Sequence, residues 1–304
     1  MKSSQNPVED NQALALWYFV KECNFKCTYC KIGRANADRS MSRRIRKTIK
    51  KRFKALTNPP GDPLKESSKI IKLLKNEVGK KWSIGLTGGE PFIYPNFVQL
   101  CEKLTEHFSI YVDTNLSISA RVREFAKKIS PDRVDYFYIS THIAERERRN
   151  QVEDFIRNIL LLKEYGFNYR VNYVLQPTLL DRFMKDYDYF QSRGVTLLPK
   201  PFMGTFQGKR YPWDHTDHEK KVLLQYNPSF YDELPIKSRG IKCDAGKYFV
   251  RITPNGKVMR CVGDKTVLGH ISSGIRFNKE AEPCKVDTCP CFGQGLLKQP
   301  IKNL

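Results

Sequence analysis

Cys23, Cys27 and Cys30, in "CNFKCTYC", stand at C-x3-C-x2-C directly after an apolar run. Three thiols on so short a stretch cannot pair off among themselves as disulfides. A zinc site wants a fourth ligand at matching spacing, often from a second C-x-x-C pair. A 4Fe–4S cluster also takes four ligands, so a loop of three leaves one iron for something else. The chain has nine cysteines, and eight fall in two groups: these three, and Cys243, Cys261, Cys284, Cys289 and Cys291 near the end. The ninth, Cys101 in "FVQLCEKL", lies on the apolar face of a helical pattern and reads as core. The amino terminus, "MKSSQNPVEDNQ", lacks the basic-then-apolar pattern of an export signal, so we read a cytoplasmic protein. In that compartment clumped thiols serve metals or clusters more often than disulfides.

Other polar residues recur at regular places. "TGGEP" (87–91) puts two glycines and an acid together: Gly88 and Gly89 allow close backbone approach to a ligand, and Glu90 can accept from an ammonium group. "DTN" (113–115), "STH" (140–142) and "RVN" (170–172) follow or sit within apolar segments. Arg170 there suits a carboxylate, with Asn172 as a second polar contact, and His142 could move a proton or bind substrate. His215 and His218, in "WDHTDHEK", read as solvated.

The elements that must position these residues alternate. Strand-like segments at 14–20, 82–88, 109–115, 134–141, 169–175 and 195–199 are separated by helical patterns at 40–55 and 62–78, then 94–107, 118–128, 150–165 and 179–192. Short apolar strands alternating with helices predict a parallel sheet covered by helices. Six β-α units fall short of the eight of a closed barrel. The expected fold is therefore α/β, a partial (β/α)6 TIM-like barrel. The thiol loop follows the first strand, at the carboxyl edge where such folds keep their sites. After residue 205 the alternation stops. We draw a tail at 1–13, the barrel core at 14–205, a connecting segment at 206–240, and a small cluster-binding domain at 241–304. That last part contains a β-hairpin at 248–261, turning at Asn255-Gly256.

In order and at these strand ends, the motifs resemble the radical S-adenosylmethionine (SAM) superfamily over about residues 14–200. The C-x3-C-x2-C loop is that family's cluster loop, and the amino and carboxylate end of SAM is the fourth ligand there. The resemblance implies that Gly88, Gly89 and Glu90 meet the methionyl amine, that Asn115 and Ser140 meet the ribose, and that Tyr29 lies against the adenine. Cys243 and Cys261, as C-x12-G-x4-C with Gly256 at the hairpin turn, resemble the opening of SPASM and twitch extensions. Those extensions hold auxiliary iron–sulfur clusters. Cys284, Cys289 and Cys291 would complete one 4Fe–4S cluster with a cysteine to spare; a structural zinc site is the alternative. The implied activity is reductive cleavage of SAM to a 5′-deoxyadenosyl radical and abstraction of a hydrogen atom from a substrate C–H bond. The second cluster would assist oxidation or epimerisation, and the electron donor would be a flavodoxin- or ferredoxin-type protein.

A formal charge of +21 favours anionic partners, and eleven Lys/Arg against one Asp fall within 31–54. That run could cover the site or form a solvated face. With about 13 residues before the first strand, we expect no separate peptide-binding domain of the kind many peptide-modifying relatives place there, although some dispense with it. A small anionic metabolite, such as a phosphorylated or nucleotide-linked sugar, is favoured over a peptide. The longest apolar runs are too short for a bilayer. A basic nucleic-acid-binding protein with structural metal sites would account for the charge and the thiols, but not for "TGGEP" or the strand-end series.

Overall fold

The structure, a computed structural model, describes residues 12–30, 61–77, 79–211, 213–229 and 235–289. The helix expected at 40–55, the basic run 31–54 and Cys291 lie outside the described residues. The alternation is present. Strand β1 (Gln12–Val20) is followed among the described residues by α1 (Pro63–Lys75), β2 (Lys81–Gly88), α2 (Phe97–Thr105), β3 (Ser109–Thr114) and α3 (Ser119–Lys128). Then come β4 (Val134–Ser140), the short α4 (Ile143–Glu147), α5 (Val152–Glu164), β5 (Tyr169–Leu175), α6 (Leu180–Gln191) and β6 (Leu197–Pro201). Local chemistry sets the boundaries. Helix α1 starts at Pro63 because Asp62 accepts from the Leu64 N–H at 3.3 Å, and it buries Ile70, Ile71 and Leu74 on one face.

Beyond the core, β7 (Gly204–Phe206) and β8 (Lys209–Tyr211) form a small hairpin before α7 (Asp217–Tyr226). His215, expected in solvent, is instead 6% exposed. It packs beside Tyr211 and 3.5 Å from Glu219, the acid of the α7 capping box, a tertiary placement that its polar neighbours hid. Next come β9 (Ile236–Lys237), β10 (Lys242–Cys243), β11 (Phe249–Ile252), β12 (Lys257–Met259), β13 (Val267–His270), β14 (Gly274–Ile275), β15 (Glu282–Pro283) and β16 (Thr288–Cys289).

One sheet runs β14-β13-β12-β11-β1-β2-β3-β4-β5-β6. From β11 to β6 every pairing is parallel. The 248–261 hairpin therefore extends the barrel wall instead of standing apart: Leu14 pairs with Phe249 and Trp17 with Ile252. Without it β1 would be an edge strand with open backbone donors and acceptors. The sheet curls strongly. Flat strands lie 4.7–4.9 Å apart, which would set β1 and β5 roughly 19 Å apart. Yet the loop after β5 reaches the loop after β1, where Gln176 Nε2 donates to Thr28 Oγ1 at 3.4 Å.

Alternation along the strands sorts two faces. Ala15, Trp17, Ile84, Val112, Phe137 and Tyr173 face the helices in the main core. Leu16 and Tyr111 face the lumen and form a second, smaller apolar cluster with Cys243, Ala245 and Phe249. Gly85 makes room there, since a Cβ would come within 2.3 Å of the Tyr111 ring and the ring would have to shift. No described helix is long and apolar enough to cross a membrane. Because Ile252 is fully buried in the β11–β1 ladder, Ile252→Ala is expected to cost about 2–4 kcal/mol. Hydrogen exchange should show the loss in β1 as well as in the hairpin; faster exchange confined to the hairpin would mean the two are not one unit.

Candidate functional site

The thiol loop is held by backbone contact with the glycine pair. The Gly89 N–H donates to Val20 O at 2.8 Å and the Glu90 N–H to Glu22 O at 2.9 Å. A Cβ on Gly88 would lie 2.0 Å from Val20 O, and one on Gly89 1.8 Å from Glu22 O. Gly88 also has φ 151°, in the region that favours glycine. These glycines thus serve the loop itself before any ligand.

Glu90 turns inward and is 1% exposed. Its Oε1 accepts from the Phe92 N–H at 3.0 Å and Thr114 Oγ1 at 2.6 Å, and its Oε2 accepts from the Asn115 N–H at 2.6 Å. Burial pushes its pKa up to about 7 against those bonds and the nearby Arg146. Both oxygens are engaged within the fold, and Oε2, with one bond, keeps a lone pair for a further donor. Asn115 is likewise committed: its Nδ2 donates to Asn24 Oδ1 at 3.0 Å, tying the end of β3 to the thiol loop.

Arg146, fully buried, gathers the strand ends. Its Nε donates to Thr141 O at 2.5 Å, and its Nη2 to Ser140 O at 3.3 Å and to Asn115 O. The guanidinium lies 3.5 Å from the Phe155 ring centre and 5.3 Å from that of Phe25, the middle of the three residues between the first two cysteines. Arg149 donates to Asn24 O from the next turn. His142, at φ 48°, begins α4, and its Nδ1 lies 3.3 Å from Cys27 Sγ and 2.5 Å from the Tyr29 hydroxyl oxygen. Enclosure and the Arg146 charge push its pKa down to about 3, so the ring is neutral. His142, Tyr29, Cys27, Tyr173 and Gln176 line a cavity of about 170 Å³ at this edge.

The predicted residues are thus partly assembled. Ser140 and Asn172 are register partners at the upper edge, while Arg170 pairs with Tyr138 one layer deeper in the lumen. The three loop thiols lie within one another's electrostatic reach. Burial, then the Cys30 charge, pushes Cys27 up to about 12, and burial raises Cys23 too. Such donors fit a cluster that draws off thiol protons on binding. Among the described residues, no three His, Cys, Asp or Glu side chains close around a point suited to a single metal ion. Asn172 Oδ1 is buried without a partner among the described residues, so it fits a bound molecule's hydroxyl or amine donor.

The second thiol set converges as well. The β10–β15 ladder brings Cys243 opposite Glu282, just before Cys284, and β16 carries Cys289 against β9. Burial pushes Cys243 up to about 11, with smaller contributions from Cys284 and Cys289, and Cys289 also acts on Cys261. Arg260, 1% exposed, joins the segments. Its Nε donates to Ala245 O at 3.0 Å, its Nη1 to Pro283 O at 2.8 Å and Asp264 Oδ2 at 2.9 Å, and its Nη2 to Glu282 O at 2.7 Å.

Arg146 and Arg260 escaped the sequence reading because each looks like one more surface cation. Asp113 and Tyr18, both facing the lumen, carried a signal: they keep the period-2 phase of Tyr111 and Leu16.

Gly89→Ala should free the loop, so alkylation of Cys27 by iodoacetamide should be faster than in wild type; an unchanged rate would show the loop held by other contacts. Arg260→Met leaves Asp264 buried without its partner, an expected loss of about 3–5 kcal/mol in denaturant unfolding. A loss below 1 kcal/mol, the range of exposed pairs, would deny Arg260 this role.

The solved structure titled "Native anSMEcpe with bound AdoMet" shares this fold at TM-score 0.57 and 19% identity, covering 87% of this chain and 79% of that one. "Native anSMEcpe with bound AdoMet and Cp18Cys peptide" matches at 0.55 and 19%, with 87% and 78% covered. "Native anSMEcpe with bound AdoMet and Kp18Cys peptide" matches at 0.56 and 18%, again with 87% and 78% covered. No curated protein matches the sequence. The family model described as "Radical SAM superfamily" matches residues 17–189, more than half of the chain, from the second half of β1 through most of α6. The chain belongs to the radical SAM superfamily, whose members use a 4Fe–4S cluster and SAM.

Proposed function

We propose that this protein abstracts a hydrogen atom from a small anionic metabolite inside the barrel lumen, and that a second cluster exchanges an electron with the substrate radical. The observation that carries this reading is the nearness of both thiol sets to one stretch of β1. Tyr18 lies within electrostatic reach of Cys30 and Cys23, while Leu16, two residues earlier on the same face, packs in the cluster with Cys243. Strands rise about 3.3 Å per residue, so the two sets face the lumen from opposite ends of a short wall.

When bound, the cluster and SAM supply reductive cleavage of the sulfonium to methionine and a 5′-deoxyadenosyl radical. Cys23, Cys27 and Cys30 hold the cluster in this reading. The backbone of Gly88–Glu90 meets the methionyl amine, Ser140 and Asn172 meet the ribose, and Tyr29, positioned by His142, meets the adenine. His142 is a positioning residue here, since its Nδ1 lies against Tyr29 and Cys27. Cys243, Cys261, Cys284 and Cys289 hold the second cluster, with Cys291 in reserve. The apolar lumen floor of Leu16, Tyr111 and Phe249 keeps water from a reactive species. Net oxidation or epimerisation then depends on whether the electron leaves or returns. The physiological donor would be an acidic flavodoxin- or ferredoxin-type protein in the cytoplasm, drawn by the charge of +21.

A second reading is a peptide substrate, favoured by the match to the structure carrying Cp18Cys peptide. Protein reconstituted without oxygen is expected to hold about eight irons, the sum of two 4Fe–4S clusters. It should form 5′-deoxyadenosine from SAM with dithionite, and Cys27→Ala should lose that product. About four irons with activity intact would remove the second cluster, and zinc with no SAM cleavage would sink the enzyme reading.

A further inference from the structure

We propose that Lys200 and Arg251 form an oxyanion anchor in the barrel lumen that holds the carboxylate or phosphate of the substrate. This deepens the reading above and rests on the lumen being the substrate chamber. Lys200 stands on β6 and Arg251 on β11, the two edges of the parallel part of the sheet. On a flat sheet they would be six ladders apart, roughly 29 Å. The curl brings both to the same central residues. Asp113, on β3, feels the Lys200 charge and accepts from Thr87. Tyr18, on β1, feels both Asp113 and Arg251, and the Arg251 guanidinium lies 5.2 Å from the Tyr18 ring centre.

Burial pushes Asp113 up to about 6, which weakens its hold as a counter-ion to Lys200. Arg251 Nε is buried without a partner among the described residues. A buried N–H left unpaired costs stability, and an oxyanion in the lumen would satisfy it. The guanidinium fork suits the paired oxygens of carboxylate or phosphate, and the ammonium adds a point charge from the far side. Arg251 belongs to the C-terminal hairpin, so that region shapes the chamber for the substrate as well as carrying thiols.

The test uses full-length, cluster-reconstituted, SAM-loaded protein and calorimetric titration with two probes, inorganic phosphate and malonate. Wild type should bind one equivalent of at least one probe, and the tighter one tells whether phosphate or carboxylate is the native group. Arg251→Gln and Lys200→Gln should each weaken that probe roughly tenfold or more, the loss of one charge-assisted hydrogen bond. Arg251→Lys should fall between, keeping the charge and losing the fork. If Arg251→Gln does not fold by circular dichroism, Arg251→Lys and Lys200→Gln carry the same comparison. Equal affinity in wild type and variants, or no binding of either probe to wild type, overturns the anchor. So does weakened SAM binding with unchanged probe binding, which would make the pair a SAM contact. 5′-Deoxyadenosine formation by wild type separates the two claims: probe binding without it keeps the anchor and removes radical chemistry, and the converse removes the anchor alone.

Discussion

The backbone of Gly88 and Gly89 lies against the backbone of the segment leaving β1, and the site depends on that contact. Two N–H···O bonds, from Gly89 and Glu90 to Val20 and Glu22, set where the thiol loop starts. No side chain fits between, since a Cβ at either glycine would sit about 2 Å from a carbonyl oxygen. From there the constraints propagate inward. Glu90, next in sequence, is drawn into the core, where Thr114 and two backbone N–H groups hold its carboxylate. It in turn fixes the end of β3, whose Asn115 holds the loop from the other side through Asn24.

Two buried arginines repeat one device at opposite ends of the barrel. Arg146 donates to the carbonyls that end β3 and β4 and lies against Phe25 of the thiol loop. Arg260 donates to carbonyls flanking Cys243 and Cys284. A guanidinium carries five N–H donors in a rigid fork, so one side chain satisfies several orphan carbonyls where strands stop and loops begin. Irregular backbone that must bring thiols together has many such carbonyls. In both places the cation acts through hydrogen-bond geometry, and in the Arg260 site Asp264 balances the charge at 2.9 Å.

Glu90 and His142 show where reading residue types reaches its limit. "TGGEP" pointed to the right place, but the Glu90 carboxylate is turned into the fold, and the glycines answer first to steric demands of the loop. Strand-end position flagged His142, while its neutral ring and its neighbours Tyr29 and Cys27 follow from enclosure that no spacing reveals. His215 looked solvated among polar neighbours and is buried, because it packs against Tyr211 and the buried Glu219.

The sequence by itself determined the order of β-α units, the parallel sheet, the thiol loop at its carboxyl edge and the membership that those motifs signal. Each is a local matter: alternation, periodicity and short spacings are written in neighbouring residues. Tertiary structure alone decided that β11 would pair with β1, more than 230 residues away, and so carry Arg251 into the lumen. It alone decided that Cys243 and Cys261 would pack with Leu16 and Tyr111, and that Arg146 and Arg260 would be core rather than surface. The physical reason is the curl of the sheet, a sum of small twists over many strands. It brings edges together that no local pattern relates, and which cations and thiols then meet follows from that closure.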